Sequence, residues 1–266
     1  MLEILAFPFM QRALAAAAVT GVLGGLLGVF LVQRRLSFLA SGISHGAFSG
    51  IGLGLYLGVA PFLVAVPVAV ALGLLIAFLR RRGALAEDTV VGVFFAAGMA
   101  GGVILLALSN ADASLSAYLF GSILAIQSVD LAWMAAVAVV VLGFVLPAWG
   151  GLTLLTFDRE LAQASGLPVR FLDYTFFALS ALAIVAAVKL VGIVLVASFF
   201  VVPAACARLL GTTFARVSLL AAGIGLVTAV GGLLLSYPLN APVGALIVLL
   251  QVLVFALALV FRRPHR

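Results

Sequence analysis

The side chain with the clearest capacity for chemistry is His45, which lies in the middle of a long apolar segment. A neutral imidazole is a good zinc ligand and also binds manganese or iron(II), and an ionisable residue within a membrane span is a functional candidate by default. The alternative is structural, because a histidine among glycine and serine can pack between helices and hydrogen-bond a backbone carbonyl. The residue alone leaves both interpretations open.

Other patterns for catalysis or energy coupling are missing from the sequence. It contains no His-Glu-x-x-His motif and no pair of acids inside an apolar segment, and one buried histidine is poor material for hydrolysis. The only lysine, Lys189, lies between valine and leucine, so the chain has no Walker A loop and cannot be an ATPase. Proton- or sodium-driven transporters usually keep acids within their spans, whereas every carboxylate here is predicted in a loop or at a helix end.

The segments that must position these residues are apolar helices. Hydrophobic residues make up 66% of the 266 positions and charged residues 8%, which is too little polar side chain to cover a soluble surface. A bilayer core of about 30 Å needs roughly 20 apolar helical residues, and the runs are too long for barrel strands. We predict an all-α, polytopic integral membrane protein, a single transmembrane domain over residues 1–266, with about nine spans: Ala13–Val32, Phe38–Gly58, Pro61–Leu79, Thr89–Leu108, Leu131–Trp149, Leu172–Val188, Gly192–Ala207, Val217–Ser236 and Val243–Phe261.

Arginine occurs in alternate loops, which predicts the orientation of the chain. By the positive-inside rule the basic loops are cytoplasmic, so an odd number of spans places the N-terminus outside and the C-terminus inside a cell membrane. The net charge of +6 is explained by this topology and by contact with lipid headgroups of the bilayer, and nothing indicates binding to nucleic acid. The basic groups are Arg34–Arg35, Arg80–Arg82, Arg159 with Arg170, Arg208 with Arg216, and Arg262–Arg266.

Two loops are unusual. The outer segment Asn110–Asp130 contains a short apolar stretch, Leu115–Ile126, which is too brief to span and predicts an interfacial or re-entrant helix. The cytoplasmic segment Thr156–Arg170 predicts a short amphipathic helix, with Asp158 as its cap and Glu160 in its first turn. Gly166, followed by Pro168, would end that helix about two turns later. Such a loop can be a solvated connector or a helix that docks a partner.

The order of residues in the cytoplasmic loop favours docking. Glu160, Ala162, Ala164 and Gly166 resemble the Glu-Ala-Ala-x-x-x-Gly coupling loop of ABC importer permeases, through which the membrane subunit sits in a groove of its ATPase. The resemblance implies a coupling helix at about residues 158–170. Its candidate coupling residues are Asp158, Glu160, Ala162 and Gly166.

Several other segments resemble one permease family and occur in its order. Ser44–Leu53 reads Ser-His-Gly-Ala-Phe-Ser-Gly-Ile-Gly-Leu and is similar to the Ser-His-Ala-x-x-Pro-Gly-x-x-Leu signature of the ABC-3 permeases, the zinc, manganese and iron importers. The further segments that recur in that family's order are Tyr118–Leu124, Val191–Val196 with Pro203–Ala207, and Tyr237–Gly244.

This resemblance implies a complex and a mechanism. The chain would be a transporter subunit without a bound cofactor, working as a homodimer with a cytoplasmic ABC ATPase dimer and an extracytoplasmic metal-binding protein. ATP would be used by the partner subunits, and the cargo would be a divalent metal ion moved by alternating access. The alternatives that stay open are a gradient-driven secondary transporter or channel, and an ABC permease for a non-metal substrate.

Two departures from the family bear on the cargo. Many members carry aspartate four residues before the histidine and in the Tyr-x-Leu-Asp segment, where this chain has Ser41 and Asn240. Residues at i and i+4 share a helix face, so Ser41 and His45 keep the geometry of an oxygen and nitrogen pair but lose its charge. The candidate metal ligands are therefore His45, Ser41 and Asn240, and their set is weak. Asn240, flanked by Pro238 and Pro242, is also a good turn residue.

Overall fold

The computed structural model describes residues 7–83, 86–109, 115–121 and 126–260. These ranges contain helices and no strand, which confirms the all-α prediction for the part of the chain that they cover. The helices in these ranges are α1 (Pro8–Gln33), α2 (Leu39–Tyr56), α3 (Pro61–Arg82), α4 (Glu87–Leu108), α5 (Leu115–Phe120), α6 (Ser128–Val145), α7 (Trp149–Phe157), α8 (Arg159–Ala164), α9 (Val169–Val191), α10 (Val196–Leu210), α11 (Phe214–Leu239) and α12 (Val243–Val260).

Over the described residues, seven helices are long and apolar enough to cross a membrane, namely α1, α3, α4, α6, α9, α11 and α12. The remaining two predicted spans coincide with α2, which is rich in glycine and contains His45, and with α10, which has 15 residues. The total of nine spans and the orientation of the termini stay predictions. Asp112 and the basic tail after Val260 lie outside the described residues.

Several predicted helix boundaries differ from the structure, for example α1 begins at Pro8 rather than Ala13, and two of the differences have a clear local cause. The span predicted to end at Trp149 ends at Val145, because Pro147 follows and has no N–H to continue the helix. A separate helix, α7, then begins at Trp149 and was not predicted. The span predicted to begin at Gly192 begins at Val196, because Gly192 has a φ of 90° and interrupts the helical path.

The described chain divides into two compact units, each with its own packing. Unit 1 comprises Met1–Ser37, Ser116–Ala138 and Ala186–Arg266, and unit 2 comprises Phe38–Leu115 and Val139–Val185. In unit 1, α1 packs on α10 and α11. Gly21 of α1 faces Gly225 of α11 so closely that a Cβ on Gly21 would lie 2.6 Å from the Gly225 carbonyl oxygen. Small residues of this kind let apolar helices approach without a hydrophobic driving force between them.

Unit 2 is built around α2, which packs on both α3 and α4. A Cβ on Gly98 of α4 would lie 2.6 Å from the carbonyl oxygen of His45, and a Cβ on Gly50 of α2 would lie 2.7 Å from the Cα of Ala65 in α3. Gly50 and Gly98 are therefore close-packing positions. They hold the His45 segment between two neighbouring helices.

Candidate functional site

His45 is buried within unit 2 and its ring is oriented by its own helix. The side chain is 6% exposed, and Nδ1 lies 2.9 Å from the carbonyl oxygen of Ser41 one turn earlier. A carbonyl oxygen can only accept, so Nδ1 carries the proton and Nε2 of a neutral ring keeps its lone pair. The ring also contacts Phe95 of α4, with 4.2 Å between the two centroids. This geometry suits a ligand whose second nitrogen is fixed by a hydrogen bond, and it equally suits a packing residue.

A cavity of about 310 Å³ lies beside Ser41, between the beginning of α2 and the first turns of α4. Ser41 and Phe95, which both contact the His45 ring, line this cavity. Its carboxylate is that of Asp88, the second residue of α4. The complete lining is Phe38, Ser41, Gly42, Asp88, Val91, Gly92 and Phe95.

These residues do not make a closed metal centre. In the residues that the structure describes, no group of three or more histidine, cysteine, aspartate or glutamate side chains could hold a metal ion. A closed structural zinc site uses four such ligands. His45 with neutral oxygens can therefore provide at most a weak and transient contact for a passing cation, which suits a pathway that must release its cargo.

Gly42, Ser44 and Gly46 match the Gly-x-Ser-x-Gly spacing of hydrolase nucleophiles, although the sequence predicts no such nucleophile with a partner base. The structure argues against a nucleophile there, since Ser44 lies within a continuous helix rather than at a strand-to-helix turn. Its hydroxyl is fully buried and donates to the carbonyl oxygen of Ser41 at 3.0 Å. Ser44 thus has the backbone-bonded environment of a structural serine.

Asn240 ends α11 in unit 1. It adopts the left-handed conformation with φ 46° and ψ 41°, and its N–H donates to the carbonyl oxygen of Tyr237 at 3.2 Å. Asparagine tolerates this conformation better than most residues, so the helix end explains its presence. The three candidate ligands are thus not all in one unit, since Ser41 and His45 belong to unit 2.

Three of the other family-like segments contribute residues to the break between α9 and α10 in unit 1. The N–H groups of Ile193 and Val194 donate to the carbonyl oxygens of Tyr118 and Leu119 at 3.0 and 3.2 Å, which ties the break to the end of α5. The chain can approach this closely because glycines lie at the contacts. A Cβ at Gly121, Gly192 or Gly244 would collide with a backbone carbonyl of Leu190, Leu119 or Val191, respectively.

A salt bridge lies in the same unit. Lys189, near the end of α9, places its Nζ 2.5 Å from Oδ1 of Asp130 in the first turn of α6. The other oxygen of Asp130 accepts from the N–H of Gln127 at 2.8 Å, so this carboxylate also caps the helix start. The chain's only lysine therefore has a structural partner.

The segment Thr156–Arg170 contains a short helix as predicted, α8, which covers Arg159–Ala164, and both of its ends are capped as the sequence indicates. Asp158 accepts from the N–H of Leu161 at 2.8 Å. At the other end Gly166 has a φ of 74°, its N–H donates to Gln163, and the N–H of Leu167 donates to Ala162, at 3.0 and 3.1 Å. This pair of bonds is the Schellman motif, which requires a residue that tolerates positive φ.

The two faces of α8 differ in exposure. Ala162 is completely buried and anchors the helix, whereas Glu160 and Leu161 are exposed, the latter by 52%. Phe157 and Phe171, just before and after this segment, are also more than half exposed. The capped helix α8 therefore presents Glu160 and Leu161 outward, between an exposed phenylalanine on each flanking helix, and such a mixed exposed surface suits contact with a protein partner.

Arg159 connects α8 to α9 through a residue that the sequence analysis did not single out. Its Nη1 lies 2.7 Å from Oδ2 of Asp173, whose side chain is only 3% exposed. The two residues are 14 positions apart and belong to different helices, so no helical spacing indicates the pair. The only sequence signal was an acid close to the start of an apolar span, which is unusual unless it has a partner.

Known proteins are similar to this chain in sequence and in fold. Residues 6–262 match the family model described as the ABC 3 transport family. The chain is 33% identical over 255 residues to the manganese transport system membrane protein MntC of Listeria innocua, covering 96% of this chain and 91% of that protein. It is 35% identical over 263 residues to the chelated iron transport system membrane protein YfeD of Yersinia pestis, covering 97% and 87%. The solved structure of PsaBC from Streptococcus pneumoniae in complex with Fab aligns with a TM-score of 0.88 at 30% identity, covering 99% of this chain and 95% of that one.

Proposed function

Because the chain belongs to the ABC 3 transport family, we propose that it is the membrane-spanning permease subunit of an ATP-driven importer for divalent transition-metal ions. It is a multi-pass plasma-membrane protein and a transporter component rather than an enzyme. The observation that carries the proposal is the similarity over nearly the full length to relatives named for manganese and chelated-iron transport. Those names differ in their metal, so zinc, manganese and iron(II) all remain substrates to be tested.

The positions of the described acidic residues indicate that the energy for transport comes from a separate subunit. Asp158 caps α8, and the remaining described carboxylates all lie within the first five residues of a helix. A secondary transporter that couples to protons or sodium usually needs acids within its spans. We therefore assign the energy source to separate ATPase subunits, with the chain acting as one of two permease copies beside an extracytoplasmic metal-binding protein.

We assign the contact with the ATPase to α8. Its caps fix its ends, Ala162 anchors it, and Glu160 with Leu161 face outward. Asp158 and Gly166 act by shaping this helix. The Arg159–Asp173 salt bridge gives a direct path from α8 to α9, a helix long enough to span the membrane, so that a displacement of α8 reaches the membrane-spanning part of unit 2.

We place His45 on the path of the ion, as a transient nitrogen ligand with Ser41 beside it. The support is its burial, the hydrogen bond that leaves the Nε2 lone pair available, and the adjacent cavity with the Asp88 carboxylate. Asn240 is assigned first to the turn that ends α11 and second to contact with the ion. Alternating access would expose this path to one side of the membrane at a time.

Reconstitution tests the proposal. The chain should be expressed with its ATPase and its metal-binding protein in cells that lack their own high-affinity metal importers, and uptake of radiolabelled manganese, zinc and ferrous ions measured. Uptake of at least one ion that needs both partners and ATP supports the assignment. Uptake that persists without the ATPase and collapses with the proton or sodium gradient would instead establish a secondary transporter.

A further inference from the structure

Unit 2 contains a second cavity, in which three arginine side chains lie together. Its volume is about 380 Å³, within the range of roughly 300–1,000 Å³ that ligand pockets occupy. It is lined by residues from the end of α3, the start of α4 and α8: Arg80, Arg81, Glu87, Arg159 and Gln163. None of these residues is used by the candidate metal path.

Two of the three arginines have a carboxylate partner, and the third does not. Arg80 pairs with Glu87, and Arg159 pairs with Asp173. Arg81 stacks on the ring of Tyr174, with 5.8 Å from its guanidinium carbon to the ring centroid, and forms no salt bridge within the described residues. The cavity therefore keeps one positive charge in excess. A guanidinium has five N–H donors, so Arg80 and Arg159 also retain donors beyond those used in their salt bridges.

Converging guanidinium groups with excess positive charge match the chemistry of a phosphate group. Arginine binds phosphate oxygens with charge-assisted and often bidentate hydrogen bonds, and Gln163 adds a neutral amide donor. A divalent cation is excluded by the same charge. We propose that this cavity is a binding site for a phosphate group, supplied by the headgroup of an anionic phospholipid.

The position of the cavity favours a lipid as the source of the phosphate. Arg80 and Arg81 are in the last turn of α3 and Glu87 is the first residue of α4, and both helices are candidate spans. The cavity thus lies where two apolar spans meet the level of the headgroups, and basic pockets between helices at this depth bind anionic headgroups. Leu75, about one and a half turns before these arginines on α3, is 40% exposed and can contact the acyl chains.

Arg82 provides a matched control for the experiment. It is the next residue on the same helix, but it is not part of the cavity lining, and its guanidinium carbon lies 4.6 Å from the Phe78 ring centroid. The variants Arg81→Gln and Arg82→Gln remove the same charge from neighbouring positions. Glu87→Gln has the opposite effect on the cavity, since it removes the carboxylate and releases donors of Arg80.

Binding can be measured on the full chain in delipidated detergent micelles, by native mass spectrometry and by the shift in melting temperature. The probes are dioleoylphosphatidylglycerol, dioleoylphosphatidylcholine and inorganic phosphate. We expect wild type to prefer the phosphatidylglycerol, Arg81→Gln to weaken this binding about fivefold, Arg82→Gln to leave it unchanged, and Glu87→Gln to tighten it.

Each alternative result is informative. If Arg81→Gln and Arg82→Gln lose the same lipid affinity, general surface charge explains the binding and the proposed site is wrong. The proposal is also wrong if the wild-type protein shows no preference for the anionic lipid. Saturable binding of inorganic phosphate that depends on Arg81 but shows no lipid preference would keep the phosphate site and overturn the lipid as its source.

If Arg81→Gln binds lipid normally and instead loses the ATPase, the cavity is a protein contact and the proposal fails. If Arg81→Gln is misfolded, an unchanged affinity in Glu87→Gln would overturn the proposal by itself. Neither the lipid nor the phosphate measurement requires metal transport.

Discussion

Arg159 and Asp173 join the short helix α8 to the long helix α9 through a salt bridge of 2.7 Å, in which the carboxylate is almost completely buried and the arginine is 37% exposed. A buried carboxylate without its partner is costly, so the pair constrains the position of α8 relative to α9. If α8 is the docking helix, this salt bridge directly connects the docking segment to a candidate membrane span.

The salt bridge gives a first prediction. Asp173→Asn and Arg159→Gln should each lower the free energy of unfolding by about 1–3 kcal/mol and reduce uptake more than ATPase binding. The measurements are detergent melting temperature, ATPase pulldown and ion uptake. In the double variant the losses should be far from additive, because both changes remove one interaction. Fully additive losses would show that the two residues act separately.

The second prediction uses two glycines in the same local structure. Gly166 follows α8 and Gly58 follows α2, and both have positive φ, Schellman-type hydrogen bonds and open space where a Cβ would lie. Leucine at either position should therefore cost a similar ~1 kcal/mol in backbone strain. Only Gly166→Leu should also weaken association with the ATPase and abolish uptake. A similar loss of ATPase in Gly58→Leu would mean that helix stability, rather than docking, explains the effect.

The sequence was sufficient to predict α8, because all of its signals are local. A capping aspartate, a glycine that accepts positive φ and a following proline lie within one short segment, and the structure contains each contact that they require. The same is true of the apolar spans, whose positions follow from length and composition alone. Pro147 could also have been used to end α6, since its missing N–H is a property of the residue itself.

The long-range contacts could not be predicted in this way. The buried carboxylate of Asp173 is stabilised by its salt bridge with Arg159, and position 192 requires glycine because the Leu119 carbonyl oxygen lies where a Cβ would be. The two members of each pair are nevertheless far apart in the sequence. An apolar sequence contains little information about which faces of two helices contact each other, because nearly every face of each helix is hydrophobic. The cavity beside Ser41 depends likewise on where α4 packs against α2. Arginines and acids lie at many helix ends, and the sequence alone does not specify which of them form salt bridges.

A third prediction concerns Gly192. Its φ of 90° and its contact with the Leu119 carbonyl leave no room for a Cβ, so Gly192→Ala should destabilise the protein by roughly 2 kcal/mol or more. Gly143 in α6 is the control, because a Cβ there meets no atom within 4 Å and φ is not positive. Gly143→Ala should be neutral or slightly stabilising. Equal melting temperatures for the two variants would contradict the tight packing at the break between α9 and α10.

The fourth prediction tests the orientation. Cys206, the only native cysteine, is completely buried, so the wild-type chain is a silent background for thiol labelling. A membrane-impermeant maleimide added to intact cells should label Val59→Cys, in a predicted outer loop, and leave Ser165→Cys in the cytoplasmic loop unlabelled until the membrane is opened. Both positions are exposed, so accessibility within the protein does not confound the comparison. The reverse pattern would invert the topology.

The last prediction separates the two interpretations of His45. If it is a transient ligand, His45→Ala should strongly lower metal uptake while the assembled complex keeps its melting temperature and ATPase activity, and His45→Asp should restore part of the uptake because an anionic oxygen can replace the imidazole. If His45 only packs against Phe95, the order is reversed. Alanine would then be mild, at a cost of about 1 kcal/mol, whereas a buried aspartate would damage folding. Ser44→Ala, one position earlier in the same buried helix, controls for the loss of a polar group, since its hydroxyl also bonds to the Ser41 carbonyl. A destabilised aspartate variant beside a fully active alanine variant would remove His45 from the ion path.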